Sequence, residues 1–383
     1  ILYRLETGRF AASVSGIGAL VARSPYQALA LPLLRRLDAE VAHHDTLALL
    51  RAVQAQPPAL ALLRRHYAAP DSRLRVHCFG LDFANPVGLA AGFDKDCSAP
   101  TALAALGFGH IEIGTVTPHP QPGRPRPRIF RLPEDLALIN RLGFPSDGMA
   151  IVAQRLHRLG RRRYVLGVNI GPNAASVVAG TATADYLAAI ETFAPVADYL
   201  VINVSSPNTQ GLRALQAGDI LDDLLGAVTR SSEGAPPLPP LLLKIAPDLS
   251  DDQLDDILRV ALAHPITGIV ATNTTLNRPP TLRGAARQES GGLSGKPLGE
   301  RSTQVIRAIY QRTEGRLPIV GVGGVASAQD AVEKLHAGAS LLQLYTGMIY
   351  QGPAIVRAIN RGLLRYLDAH GVATVAALVG RDA

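Results

Sequence analysis

The sequence predicts a (β/α)8 barrel, the TIM-barrel class of α/β fold, carrying a small N-terminal helical module. Three observations carry the prediction. Eight short apolar runs recur after about residue 85, most of them rich in Val, Ile and Leu without strict alternation, as strands covered on both faces require. Stretches of helical period separate them. Polar residues gather where the runs stop, which is where barrels of this kind place their functional groups. A doubly wound open sheet is the competing arrangement of the same alternation. With 383 residues, 47% hydrophobic and 18% charged, the chain has the apolar content for a large core, which excludes a disordered or fibrous class.

The eight runs are residues 86–91, 110–116, 164–170, 199–204, 241–246, 268–273, 318–323 and 341–346. Helical stretches between them include 183–194, 251–263, 301–313 and 328–337. The second of these shows the period clearly, with Leu254, Ile257, Leu258 and Leu262 on one face. Four prolines within 236–240 mark an exposed loop before strand five. Ahead of the barrel, 28–37 and 41–53 carry apolar residues at helical spacing; Pro57-Pro58 breaks the pattern and 60–66 resumes it. Residues 76–83 alternate like a strand entering the barrel floor. The expected division is therefore an unassigned extension over 1–26, a helical module over 27–70 and a barrel over 71–383, with no internal repeat beyond the β/α alternation.

Charge is unevenly spread. Residues 1–80 hold ten arginines, no lysine and five acids, a net +5 out of the chain's +7. A basic, leucine-rich head on a near-neutral body suggests contact with an anionic surface, although a compositional preference for arginine explains the count as well. The longest uncharged stretch near the start, 10–22, has 13 residues, short of the ~20 a spanning helix needs, and contains Gly16 and Gly18. A longer anchor or targeting segment ahead of Ile1 stays open. Cys78 and Cys97 match no metal or redox spacing and suggest a reducing compartment; no metal site is expected.

The strand ends carry the chemistry. Strand one stops in Ala90-Ala91-Gly92-Phe93-Asp94-Lys95, strand two in Gly114-Thr115, strand three in Asn169. Strand four runs into Asn203-Val204-Ser205-Ser206-Pro207-Asn208-Thr209, two amides and three hydroxyls whose burial costs several kcal/mol unless each finds a partner. Such a cluster holds a polar ligand, and Ser206 becomes a proton acceptor if something nearby makes it basic enough. Strand five carries Lys244, strand six ends in Thr272-Asn273-Thr274, strand seven in Gly323-Gly324 and strand eight in Tyr345-Thr346-Gly347. The last two loops suggest a phosphate site built on backbone N–H groups, with a helix from about Ala328 aiming its N-terminus there. Lys95 has Asp94 and Asp96 as candidate structural partners. Lys244, in an apolar run, has none, which points to an electron-rich cofactor or a carboxylate for one or both lysines.

Residues 85–95 (Asn-Pro-Val-Gly-Leu-Ala-Ala-Gly-Phe-Asp-Lys) resemble the flavin strand of dihydroorotate dehydrogenases. Ile139-Asn140-Arg141-Leu142-Gly143-Phe144, Ser205 to Thr209, Gly291-Gly292-Leu293-Ser294-Gly295 and Leu344-Tyr345-Thr346 resemble that family's other motifs, in order, over roughly residues 30–380. Serine at position 206, where soluble class 1 members carry cysteine, and a helical head containing Asp38-Ala39-Glu40-Val41-Ala42-His43 resemble the membrane-associated class 2 enzymes. The resemblance implies FMN and oxidation of dihydroorotate to orotate in pyrimidine (UMP) biosynthesis: the C5 proton passes to Ser206, the C6 hydride to flavin N5, and ubiquinone or menaquinone reoxidises the flavin. It places FMN against Ala91, Gly92, Thr115, Asn140, Asn169, Asn203, Lys244, Thr272, Gly295, Gly324, Tyr345 and Thr346. Substrate falls to Lys95, Asn140, Arg141, Leu142, Gly143, Phe144, Asn203, Asn208, Asn273 and Thr274. Thr209 passes the proton on, Phe144 shields the site, and His43, Arg131 and Tyr345 face the quinone; for His43, a plain surface position on a helix competes.

Lys95 supplies charge for a carboxylate, the asparagines supply paired donors and acceptors, and Lys244 stabilises negative charge arriving on the flavin. Pro145, Pro172 and Cys97 depart from the family pattern, and Pro145 puts its loop's hydrogen bonding in question. The resemblance further implies a monomer, peripheral on a membrane, bacterial rather than mitochondrial, with no nucleic-acid partner. Two rivals are another FMN barrel such as a tRNA dihydrouridine synthase, which needs an RNA-binding appendage, and a membrane-attached homologue without catalysis, against which the intact set Lys95, Ser206, Asn208, Lys244 and Asn273 argues.

Overall fold

The computed structural model describes residues 24–234 and 236–383. Its eight barrel strands are β1 (Val87–Leu89), β2 (His110–Val116), β3 (Val165–Ile170), β4 (Tyr199–Asn203), β5 (Leu241–Ile245), β6 (Ile266–Ala271), β7 (Ile319–Val322) and β8 (Ala339–Leu344). Each pairs in parallel with its neighbours in sequence, and β8 closes on β1, so the sheet is a barrel and the open alternative is excluded. Strands β1, β2, β4 and β5 are buried along their whole length, which is why their sequences run apolar instead of alternating. At their C-terminal ends β2 and β3 run to the expected limits, while the other six strands stop a residue or two earlier, where polar residues leave the ladder and turn over the barrel mouth.

The helical stretches fold as their period requires. Asp251–Ala263 buries Leu254, Ile257 and Leu258 and starts in a capping box, with Ser250 accepting from the Gln253 N–H and Gln253 reaching back. Ala182–Phe193, Gly299–Thr313 and Ala328–His336 likewise lie against the barrel. Residues 76–83 are not one strand. They form an antiparallel hairpin, Val76–Cys78 with Leu81–Phe83, turned by Phe79 and Gly80 at φ 55° and 75°. Two successive positive φ values are what a tight hairpin needs, and the glycine supplies one of them. The hairpin closes the barrel floor, with the Phe83 ring edge-on to His110 at 5.3 Å.

Over the mouth lies a three-stranded antiparallel sheet, Ile129–Leu132, Ala137–Asn140 and Gly292–Gly295, with a small core of Leu132, Ala137, Ile139, Leu282 and Leu293. It brings Asn140 and Gly295, far apart in sequence, to one side of the opening.

The head consists of short turns over Tyr26–Ala30 and Leu31–Leu34, then helices α1 (Ala39–Gln54) and α2 (Pro57–Tyr67). Pro57 opens α2 rather than breaking it, since the first helical position has no use for an N–H. Asp38 caps α1 by accepting from Glu40 N–H and Val41 N–H. Two residues later Glu40 reaches the segment before the mouth sheet, where its buried carboxylate meets Arg128 at 2.7 Å and Arg126 at 3.1 Å. At the far end of α1, the Gln54 side-chain oxygen accepts from Thr101 and Ala102 N–H. Most of the expected extension, and all of 10–22, lies outside the described residues.

Candidate active site

The strand ends and the overlying sheet enclose one cavity of about 1070 Å³, its open mouth included. Of the residues assigned to it from sequence, Ala91, Gly92, Lys95, Thr115, Asn140, Leu142, Gly143, Phe144, Asn203, Ser206, Asn208, Lys244, Thr272, Asn273, Thr274, Gly295, Gly324, Tyr345 and Thr346 line it. Three do not. Asn169 stands one layer behind, and its side-chain oxygen accepts from Thr115 Oγ1 at 2.6 Å and from Asn203 Nδ2 at 3.1 Å. The Thr209 hydroxyl is buried without a hydrogen-bond partner. The Arg141 guanidinium turns away, pairing with Glu289 at 2.6 Å and lying over the Phe130 ring.

The asparagines bond in two groups, Asn140 with Asn208, and Asn203 with Asn169 and, through Ser205, Asn273. Asn203 Nδ2 donates to Thr115 Oγ1 at 2.9 Å, Asn273 Nδ2 to Ser205 Oγ at 3.0 Å, and Asn208 Nδ2 to Asn140 Oδ1 at 3.2 Å. Each amide is thereby oriented, leaving its remaining donors and acceptors for a ligand. Ser206 is 5% exposed, and its Oγ accepts from the Asn208 N–H at 3.3 Å. The surrounding loop is pinned by two arginines that the sequence did not single out. Arg124 donates to the Asn208 carbonyl at 2.8 Å, and Arg213 donates to the Ser205 and Thr274 carbonyls while pairing with Asp248.

Lys95 has neither of its suggested partners. The buried Asp94 carboxylate, which burial raises to about 6, is taken by the N–H groups of Ser98 and Ala99, and Asp96 by that of Asp147. Half-buried and without a salt bridge among the described residues, Lys95 faces the cavity, where burial pushes its ammonium down to about 8. Lys244 does have a partner: Glu112 on β2, wholly buried, at 3.6 Å. Glu112 also accepts from Asn169 at 2.9 Å and from Gln343 at 2.6 Å. A signal for it existed, since Glu112 is the one carboxylate within the eight apolar runs, as Lys244 is the one lysine.

Phe144 has φ 54°, and its ring lies against Gly171, where a Cβ would sit 3.1 Å from it. The loop around Pro145 keeps its hydrogen bonds. Gln121 and Ser146 exchange backbone bonds, and the Gln121 side chain donates to the carbonyls of Gly143 and Phe144. Cys97 adopts φ 59°, and both cysteines are buried and free. At the cradle, Gly323 and Gly324 have φ 123° and 75°, a Cβ on Gly324 would lie 2.4 Å from Gly299 Cα, and the two glycines line the cavity with backbone alone. The helix Ala328–His336 contributes less than expected there. Ser327 accepts from the Asp330 N–H and Asp330 from the Ala326 N–H, so its first turn is already capped.

A line of rings leads from the head to the cavity. His43 meets Phe93 edge-on at 5.0 Å, and Phe93 meets Tyr345 at 5.4 Å. His43 is thus half-buried rather than a plain surface residue, and burial, with His44 and Lys95 nearby, lowers it to about 4. Arg131 donates to the Leu37 carbonyl at 2.8 Å at the same seam. Beside it a second cavity is lined by Gln27, Leu31, Pro32, Arg35, Leu136 and Tyr350.

Among known proteins, the family model "Dihydroorotate dehydrogenase" matches residues 73–367. A dihydroorotate dehydrogenase (quinone) of Roseiflexus sp. (strain RS-1) is 50% identical over 353 residues, 92% of this chain and 97% of that protein. One of Anaeromyxobacter dehalogenans (strain 2CP-C) is 51% identical over 352 residues, 91% and 95% of the two. Among solved structures, DHODH from Eimeria tenella in complex with ferulenol superposes with TM-score 0.79 at 38% identity, covering 96% of this chain and 98% of that one. The ligand-free type of that protein gives 0.82 at 41% over 89% and 98%.

Proposed function

The chain belongs to the dihydroorotate dehydrogenase family, among relatives of the quinone-dependent kind, and from that premise we propose how its site oxidises dihydroorotate to orotate. The observation that carries the reading is that Lys95, Ser206 and Lys244 line one cavity while Lys95 pairs with no carboxylate among the described residues.

The family implies a flavin, and FMN is the form the residues fit. Thr272 Oγ1 is buried without a partner at the cavity floor, Lys244 is buried beside it, and Gly323-Gly324 and Gly295 present bare backbone at the other end. Ala91, Gly92, Thr115, Asn140, Asn203, Lys244, Thr272, Gly295, Gly324, Tyr345 and Thr346 would hold it, with Asn169 orienting Thr115 and Asn203 from behind. When bound, FMN supplies the hydride acceptor for the substrate C6 position and is reoxidised by a quinone.

The chain's own residues do the rest. Lys95 pairs with the substrate carboxylate, and Asn140, Asn203, Asn208, Asn273 and Thr274 hold the ring by its amides. Ser206 takes the C5 proton at Oγ. Serine is a weak base, and the Thr209 hydroxyl, buried with its bonding capacity unused, offers the proton a way onward. Phe144, held over Gly171, keeps water out. Glu112 orients Lys244 and balances its charge.

Quinone access runs through the head, by His43, Arg131 and Tyr345. Six large apolar side chains there are exposed, Leu29, Leu33, Leu37, Val41, Leu49 and Leu62, among exposed arginines 35, 36, 51, 64 and 65. That mixture fits a peripheral seat on an anionic membrane; no helix of the described residues is long and apolar enough to cross one. The test of the base is Ser206→Ala. It keeps the flavin absorbance and orotate binding and loses most turnover, about 10²-fold or more for a lost general base; full activity overturns the assignment.

A further inference from the structure

Lys334, on the helix Ala328–His336, is 1% exposed, and lysine is almost never buried so completely without an ion partner. Its ammonium donates to the Gly299 carbonyl at 3.3 Å, Ser302 Oγ at 3.0 Å and Thr303 Oγ1 at 3.1 Å. Its three donors are used, yet every acceptor is neutral, and no carboxylate of the described residues stands within ion-pair distance. Asp330 and Glu333 on its own helix act only through space, and burial pushes the ammonium down to about 7.

The neutral partners are not arbitrary. The Ser302 hydroxyl donates onward to the Val322 carbonyl at 2.5 Å, and the Thr303 hydroxyl to that of Gly299 at 3.0 Å. Val322 precedes Gly323-Gly324, and Gly299 lies directly against Gly324. The cation therefore sits behind the bare-backbone end of the active-site cavity and is bonded to both walls of that cradle. A buried cation whose hydrogen bonds are met but whose charge is not calls for an anion. In a site screened from water its field reaches a dianion beyond hydrogen-bond distance.

We propose that Lys334 is a positioning residue that fixes the Gly323-Gly324 cradle and supplies the positive charge by which the site selects a flavin bearing a phosphate monoester over the unphosphorylated flavin. This rests on the FMN reading above. The test uses the purified protein stripped of flavin and titrated with FMN and, separately, with riboflavin, following quenching of flavin fluorescence. Lys334→Met is expected to weaken FMN about tenfold or more, the size of one lost buried charge interaction, while riboflavin changes less than about twofold, so the preference between the two collapses. Lys334→Gln retains a donor without the charge and carries the same expectation should the methionine variant not fold; Lys334→Arg restores part of the preference. Parallel losses for FMN and riboflavin would reduce the lysine to a prop and overturn the proposal, as would an unchanged FMN affinity. A wild-type protein that binds riboflavin as tightly as FMN overturns the phosphate reading itself, and the role of Lys334 with it.

Discussion

At the residue scale, the site is a set of polar groups whose partners are mostly one another, with two exceptions that define its chemistry. Among the described residues Lys95 has no counter-ion, and the Ser206 hydroxyl is held only by a backbone N–H. The lysine sets a pH dependence. Its ammonium, lowered by burial to about 8, is charged below that value and neutral above it. Orotate binding to the free enzyme should therefore be full near pH 7 and fall as pH rises through about 8. Lys95→Met should weaken orotate roughly 10- to 100-fold, as for a lost charge-assisted pair, and remove that alkaline limb; a titration of orotate affinity against pH in both proteins checks it. These residues were legible in the sequence because each follows an apolar run, so its place at a strand end could be read directly. Arg124, Arg213 and Arg128 were not, because each acts at the end of a long side chain from a loop or short turn whose course no local pattern dictates. Glu112 was half-legible: a carboxylate inside an apolar strand announces a buried partner without saying which.

At the element scale, the head is attached by few but specific links. Burial alone would raise the Glu40 carboxyl, yet hydrogen bonds and charge from Arg128, with Arg126, hold it below the usual range. A depressed folded-state value gives stability that is present above the unfolded pKa and lost as pH falls through the folded one. The docked head should therefore loosen only in acid, as pH falls below the ordinary glutamate range. Glu40→Ala leaves the Arg128 guanidinium buried and unpaired, a loss of ~3–5 kcal/mol. It should lower the melting temperature and cut quinone-dependent turnover while flavin content stays near wild type; hydrogen exchange over 39–54 would report the release. The helices of this region were readable from their period, although Pro57, read as a break, opens the second of them. The hairpin over 76–83 was missed because its two arms carry the alternation of one longer strand, and only Phe79-Gly80 at positive φ folds it back. The three-stranded sheet over the mouth was missed because its third strand, Gly292–Gly295, joins the hairpin of the other two from a distant segment of the chain.

At the scale of the whole molecule, a closed barrel gathers seven of its eight strand ends into one cavity, and the head adds a second, separate cavity and an apolar, basic surface. The alternation of runs and helices was enough to place the barrel. It could not say how the head sits, since that depends on single side chains such as Glu40 and Gln54. A protein lacking residues 1–66 should still bind flavin and be reduced by dihydroorotate, with lower thermal stability because Arg128 and the first turn of the helix Pro100–Ala105 lose their partners. It should fail to reduce a lipophilic quinone; quinone turnover equal to wild type in that protein contradicts the role given to the head.

The central claim, that one cavity passes electrons from dihydroorotate through a flavin to a quinone, is tested by anaerobic spectroscopy of the purified protein. Dihydroorotate added without oxygen should bleach the flavin band near 450 nm, the usual position for an oxidised flavin (~450 nm), and a ubiquinone or menaquinone analogue should restore it with one orotate formed per quinone reduced. A flavin that dihydroorotate leaves oxidised, or one that it bleaches and no quinone restores, would contradict the account.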